Sequence, residues 1–261
     1  MKTFHICTIV NNWDQYQAMR ASFATAGFDD ICCRFSVFDN RNGNTHEAYG
    51  TFNRIMEETE EPYIIYCHQD ILLDRGHGYM KLLEIVRQLE KDDPAWAVLG
   101  NAGVTEDHKL VLQVYDPFCH NLEKDINPTK VCSLDENFLI IKTTSGLRCS
   151  AELHGFHLYA TDLCLQAASA QRSCYVISFY LTHLSKGQID ANFRIAQKRF
   201  QQQWSQQFRF RYVGTTCTQI FLSRNPVVQF LFSSYRVTHW LFASPLRHKL
   251  ICRVSDRTYA R

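Results

Sequence analysis

The sequence lacks the signatures of several large protein classes. Eleven of its 261 residues are cysteine, yet no two are spaced C-x-x-C. The odd count and irregular spacing argue against a disulfide framework or a Cys-only zinc site. These cysteines read as reduced thiols, most of them small core residues, which implies a reducing compartment. No G-x-x-x-x-G-K-[ST], G-x-G-x-x-G or H-E-x-x-H occurs, so a P-loop enzyme, a dinucleotide dehydrogenase and a zincin have no support. The lone "HGFH" at His154–His157 has a spacing some metal sites use, but is weak evidence for a metallohydrolase. No uncharged apolar run is long enough to span a bilayer. The apolar "FHICTIV" near the start is short, and "NNWDQ" follows it without a cleavage signature, so no signal peptide is expected. There is no internal repeat, and "QQQWSQQ" is too short to be low complexity.

Acid is also scarce in one region. From Ser205 onward there are nine Lys or Arg and one acid, Asp256, so this segment carries +8 and the remainder −6 of the formal +2. That overall balance favours no polyanion, and no nucleic-acid partner is expected. Hydrophobic content of 46% supplies a sizeable core, and 21% charge is ordinary. The length fits one large α/β domain or one domain with an appendage.

What is present alternates. "FHICTIV" reads as a buried strand closed by Asn11 and Asn12. "WDQYQAMRASFATAG" has helical spacing and stops at Gly27. "CCRFSVFD" is a second strand. "THEAYGTFNRIMEET" is a second helix with Thr45 as its cap, and "PYIIYCHQD" a third strand. This β-α-β-α-β order predicts an α/β fold: a Rossmann-like, mostly parallel central sheet with helices on both faces. Ligands of such sheets sit beyond the carboxyl ends of the strands. Asn11–Asn12, Asp39–Asn40 and His68–Gln69–Asp70 all fall there, so three polar loops should converge on one crevice. Further on, "GYMKLLEIVRQLEKD", "TDLCLQAASAQ" and "ANFRIAQKRFQQQWSQQF" read as helices. "AWAVLGNAGV" reads as a strand and turn; "KLVLQVYD", "FLIIKTT" and "CYVISFYLTHLS" read as strands. The change in charge near 205 divides the chain into a domain at 1–205 and a basic, aromatic, helical extension at 206–261.

Four stretches together, "FDNRNGN", "YCHQDI", "LYATDLCLQA" and "THLSKG", resemble nucleotide-sugar glycosyltransferases of the GT-A fold, in particular the family 2-like group. The resemblance covers residues 3–205 in organisation. It implies a nucleoside diphosphate sugar donor, with UDP-sugar the first choice, and a hydroxyl acceptor on a glycan or lipid-linked glycan. It further implies a divalent cation, Mn²⁺ or Mg²⁺, an inverting reaction and a role in polysaccharide biosynthesis.

Residue by residue, Asp39 matches the acid that hydrogen-bonds the base; an Asx-turn explains it equally well. Asn11, Asn12, Asn40, His68, Gln69 and Lys186 fall among the donor-binding positions. Asp70 matches the last acid of the D-x-D-like signature, a metal ligand. His68 replaces the first acid of that signature and reads either as a site residue or as a hydrogen-bonded core histidine. His183 matches a histidine that completes the metal site or touches the diphosphate; a structural histidine is the other reading. Asp162 is the acid retained in "LYATD": either the base that takes the acceptor proton, or an acid favoured by a helix N-terminus. Asp135, Glu136 and His157 border donor and acceptor sugars; a solvated turn is the other reading of the two acids.

The extension, "PVVQFLFSSYRVTHWLFASPLRHKLICR", reads as a helical appendage on the domain, as an interfacial anchor on an anionic membrane, or as a protein-contact surface. The expected location is cytoplasmic, with peripheral contact at the inner face of the membrane. Two other functions fit the pattern. One is a sugar-nucleotide nucleotidyltransferase, although its Gly-rich phosphate loop is missing. The other is a non-catalytic nucleotide-sugar or glycan binding module on the same fold.

Overall fold

The structure is a computed structural model. It describes residues 2–116, 125–185 and 189–255. In chain order the elements are β1 (Phe4–Val10), α1 (Trp13–Thr25), β2 (Cys33–Asp39), α2 (Ala48–Glu58), β3 (Tyr63–Cys67), β4 (Ile71–Leu72), α3 (Tyr79–Asp92), β5 (Trp96–Gly100), β6 (Ala102–Val104), β7 (Leu110–Leu112) and β8 (Val114–Tyr115). Then come β9 (Thr129–Val131), β10 (Ser133–Leu134), β11 (Phe138–Lys142), α4 (Tyr159–Ser169), β12 (Ser173–Val176), β13 (Leu181–His183), α5 (Ala191–Trp204), β14 (Arg211–Gly214), β15 (Gln219–Leu222), α6 (Pro226–Phe232), α7 (Tyr235–Phe242) and α8 (Pro245–Val254).

The central sheet has seven strands in the order β2-β1-β3-β11-β5-β12-β9. β1 pairs in parallel with β2 and β3, and β5 with β12. β11 enters between β3 and β5 antiparallel to both, and β9 closes the edge antiparallel to β12. Five strands therefore share one direction, which is the mostly parallel sheet expected from the sequence.

Both faces are buried, and the period of two sorts the side chains. On β3, Ile65 and Cys67 face one core with Met19 and Phe23 of α1 and Leu82 and Val86 of α3. Ile64 and Tyr66 face the other core with Phe52 and Ile55 of α2 and Leu163 of α4. Each such aliphatic or aromatic side chain contributes about 1.5–3 kcal/mol on burial, enough to fix which face each helix covers.

Local chemistry sets the helix ends. The Asn12 side chain accepts from Gln15 N at 3.2 Å and caps α1, and Gly27 takes φ 88° just after it. Thr45 is not the cap of α2. Its hydroxyl is turned back towards Asn40 Oδ1, and Glu47 caps instead, accepting from the Tyr49 and Gly50 amides. Two apolar runs are also broken. "CYVISFYLTHLS" gives β12 and β13, and "AWAVLGNAGV" gives β5 and β6, each pair divided between different sheets. A buried run looks the same whether or not the strand changes partner within it.

The hairpin β14–β15 bears on the expected boundary at 205. Val213, Ile220 and Leu222 belong to the main core, whereas Tyr212 and Phe221 face a small second cluster with Leu241 and Ile251. Alternation along the hairpin thus serves both bodies. One face of the hairpin packs into the main core, and α6–α8 rest on the other. Among the described residues no helix is long and apolar enough to cross a membrane. The ten described cysteines are all free.

Candidate metal and nucleotide-sugar site

A cavity of about 950 Å³ opens at the carboxyl ends of β1 and β3. Asn11, Asn40, His68, Gln69, Asp70, Asp135, Glu136, His157 and His183 all line it. Topology brings the three-residue cluster together. The chain leaves β3 through His68–Gln69–Asp70 and forms β4, which pairs antiparallel with β13 so that Ile71 faces His183. Asp70 accepts the Leu184 amide at 2.9 Å through its own carbonyl, locking the two segments.

The His183 Nε2 lies 3.5 Å and the His68 Nδ1 3.9 Å from Asp70 Oδ1. One ligand atom from each of the three residues lies within 4.8 Å of the others. Burial alone raises the Asp70 pKa, but the hydrogen bond from His183 and the two imidazoles outweigh it and hold the carboxyl well below its usual range. His68 is pushed down by burial and by His183. For His183 burial works downward, but Asp70 beside it prevails and the imidazole is raised. An ionised carboxylate between two imidazoles is a donor set for a divalent cation. Two nitrogen ligands suit Mn²⁺ better than Mg²⁺.

Gln69 holds the loops rather than pointing freely into the cavity. Its Oε1 accepts the Asn11 and Asn12 amides, both at 2.9 Å, and its Nε2 donates to Asn11 Oδ1. Asn40 is similarly engaged, donating to the His46 carbonyl at 2.7 Å and accepting the His46 amide at 2.9 Å. Asn12 serves α1 as its cap and does not line the cavity. Asp39 is also outside it. It is exposed and engaged by Arg41, with Nη2–Oδ2 at 2.7 Å, and the guanidinium lies 4.7 Å from the Trp13 ring. Arg41 draws the Asp39 pKa down to about 2. Lys186 lies outside the described residues.

Asp162 requires a correction. It sits in the first turn of α4 with no exposed surface and does not line the cavity. Its Oδ2 accepts the Ser150 amide at 2.8 Å; its Oδ1 accepts the Ser150 hydroxyl at 2.7 Å and the Trp204 indole N–H at 2.8 Å. The carboxylate ties α4 to α5 and to the 150 loop. An acceptor hydroxyl cannot reach it without breaking this cluster, which removes the geometric basis for a base at Asp162.

Besides Asp70, the acids that reach the cavity among the described residues are Asp135, Glu136 and Asp116. Asp135 is fully engaged: Asn137 donates twice to Oδ1, and the Thr216 hydroxyl donates to Oδ2 at 2.7 Å. It fastens the β14–β15 turn to the cavity wall, and Thr216 and Cys217 of that turn complete the lining. Glu136 is different. Burial first and the neighbouring Asp135 second push its pKa up to about 8, while amides of Leu158 and Tyr159 pull it down less strongly. Those amides begin α4, and Leu158 is held at φ 68°, a conformation that costs a branched residue about 1–2 kcal/mol. His157 packs against Phe193 with ring centroids 5.5 Å apart, and burial lowers its pKa.

Sequence reasoning missed Asp116. It follows β8, whose Tyr115 pairs with Thr182, and its charge helps to raise His183. The signal was there: "KLVLQVYD" is another apolar run ending on an acid. Asn137 was missed too. Its carbonyl accepts the His68 amide at 2.9 Å, and its side-chain oxygen has no partner among the described residues.

No family model matches the chain. Among solved structures it resembles GalNAc-T7 with UDP, GalNAc and Mn²⁺, with TM-score 0.51 and 8% identity over 71% of this chain and 44% of that one. It is also similar to S. aureus TarS in complex with UDP-GlcNAc, with TM-score 0.48 and 12% identity over 72% and 60%. The chain thus spans less than two thirds of either structure. The fold is the GT-A fold of nucleotide-sugar glycosyltransferases. The chain is 32% identical over 218 residues to the ATP synthase subunits region ORF 6 protein of Fuscovulum blasticum, covering 81% of this chain and 85% of that one, and belongs to its family. That name gives a gene region rather than a reaction.

Proposed function

We propose that the chain is a metal-dependent glycosyltransferase that moves a sugar from a nucleoside diphosphate donor to a hydroxyl of a glycan or lipid-linked acceptor. The observation that carries this reading is the meeting of His68, Asp70 and His183 on the wall of a cavity at the carboxyl edge of a GT-A sheet. A donor of UDP type is the first choice, because it is the nucleotide in the structures of similar fold.

His68, Asp70 and His183 would hold a divalent cation, Mn²⁺ by the chemistry of the donor set. When bound, that cation neutralises the diphosphate as it departs. Gln69 fixes the Asn11–Asn12 amides and so the shape of the nucleotide end. Glu136 replaces Asp162 as the base: it lines the cavity, and a pKa near 8 suits proton transfer close to neutral pH. A carboxylate that takes the acceptor proton fits an in-line, inverting attack.

Thermal melting with UDP or GDP, each with and without Mn²⁺, tests the reading, because a ligand that binds only the folded state raises the melting temperature. A donor-hydrolysis screen across nucleotide sugars then separates enzyme from binding module. Metal-dependent stabilisation with hydrolysis supports the transferase. Stabilisation without turnover of any donor supports the module, and no nucleotide effect refutes both.

A further inference from the structure

The helices α6–α8 carry apolar residues on two opposite faces. Val228 and Phe232 of α6, Val237, Leu241 and Phe242 of α7 and Ile251 of α8 point inward, onto Tyr212 and Phe221 of the hairpin. The ring of Phe221 lies 5.4 Å from that of Phe232, and Tyr212 lies 5.2 Å from Phe242. This inner face accounts for why the helices dock. It leaves the outer faces unexplained. On α6, Val227, Phe230 and Leu231 stand at i, i+3 and i+4, with Phe230 81% exposed. On α8, Leu246, Leu250 and Val254 repeat every four residues, with Leu246 82% exposed. Trp240 is exposed on α7. A helix that is apolar on both sides is normally covered on both sides.

The charge between these residues is of one sign. Residues 209–255 contain seven Lys or Arg and no Asp or Glu. Arg224, Arg236, Lys249 and Arg253 are exposed beside the apolar stripes. Arg247 lies 4.2 Å from the Trp240 ring and donates to the Trp240 carbonyl at 2.8 Å, so a cation and an indole are presented together. Arg211 is buried and paired with Glu106 at 2.9 Å, but the exposed Arg236, Lys249 and Arg253, interleaved with aromatic and aliphatic side chains, match a surface that is apolar beneath and anionic on top. A protein partner would need a dense acidic rim around an apolar groove; an anionic bilayer supplies both by its composition.

We propose that the outer face of α6–α8 docks on an anionic lipid bilayer, lying in its interface without crossing it. Phe230, Leu231, Trp240, Leu246 and Leu250 enter the acyl boundary, and Arg236, Lys249 and Arg253 meet the phosphates. This inference stands apart from the transferase reading, because it rests on none of the cavity residues.

The test is flotation of the full chain with vesicles of phosphatidylcholine alone or with phosphatidylglycerol. Binding should require the anionic lipid and weaken as salt is raised. The double variant Phe230→Glu/Leu246→Glu should bind at least tenfold more weakly, because it places charge where apolar contact is needed. The triple variant Arg236→Gln/Lys249→Gln/Arg253→Gln should lose about fivefold for each charge removed. All these side chains are exposed, so melting temperatures should stay at wild type, which guards against misfolding. Absence of binding to anionic vesicles at low salt overturns the proposal. So does a concentration-dependent dimer in sedimentation that Phe230→Glu/Leu246→Glu dissolves while vesicle binding is unchanged; the face would then belong to a second copy.

Discussion

Replacing Glu136 by Gln tests the chemistry most directly. The amide has nearly the same shape and can still accept from the Leu158 and Tyr159 amides, but it cannot take a proton near neutral pH. With the wild-type pKa at about 8, roughly one molecule in ten carries the carboxylate at pH 7. The wild-type kcat/KM, which reports the free enzyme, should therefore rise about tenfold between pH 7 and a plateau above pH 9. In Glu136→Gln that rise should vanish and turnover should fall ~10²–10⁴-fold, about 3–5 kcal/mol of transition-state stabilisation. Donor and Mn²⁺ affinity should hold, because the cation ligands are untouched.

Stability supplies an independent sign. The folded pKa lies above the unfolded value, so the native state binds more protons between about pH 4.5 and 8. Glu136 therefore makes the wild type less stable as pH rises through that window. Glu136→Gln should lack this contribution and be the more stable protein at pH 9. The assay is initial rate against pH with melting temperature on the same preparations. Turnover within threefold of wild type, with the pH rise intact, would refute the assignment and return the proton to another acceptor.

Asp70→Ala should abolish the Mn²⁺-dependent part of nucleotide binding in calorimetric titration while leaving the fold intact; His183→Ala should lose less, since water can stand in for one imidazole. Asp162→Asn should keep its turnover per folded molecule but lose about 2–3 kcal/mol of stability, because one amide cannot accept from Ser150 and Trp204 as the carboxylate does. Urea denaturation measures that loss, and a dead but fully stable Asp162→Asn would contradict it. Gln69→Ala should free the Asn11 and Asn12 amides, weakening UDP binding with only about 1 kcal/mol of stability lost, because water can reach them. His5 is held neutral between Thr59 and Ser36, and burial lowers its pKa to about 4. The unfolded chain binds this proton first, so stability should fall as pH drops from about 6.5 to 4, by up to about 3 kcal/mol. A flatter acid limb in His5→Gln would show it.

The sequence by itself determined the order of the elements and the faces they bury. Strand runs such as "YIIYC" and helices such as "YMKLLEIVRQLEKD" declare their period locally, and the change from a period of two to 3.6 places α1–α3 against the sheet. It also put Asn11, Asp39 and Asp70 at strand ends, because an apolar run that stops on polar groups has reached the rim.

Only the tertiary structure decided which of those groups meet. His183 lies 113 residues after Asp70 and reaches it because β13 leaves the main sheet to pair with β4, a change of partner that an unbroken apolar run conceals. Asp162 and Glu136 show the same limit from opposite sides. Asp162 has the better motif, but Trp204, from another helix, closes over it. Glu136 reads as an ordinary turn acid, and becomes unusual only when burial and Asp135 raise its pKa. Periodicity is written in neighbouring residues, whereas burial and electrostatics are sums over atoms that the fold brings together from distant parts of the chain.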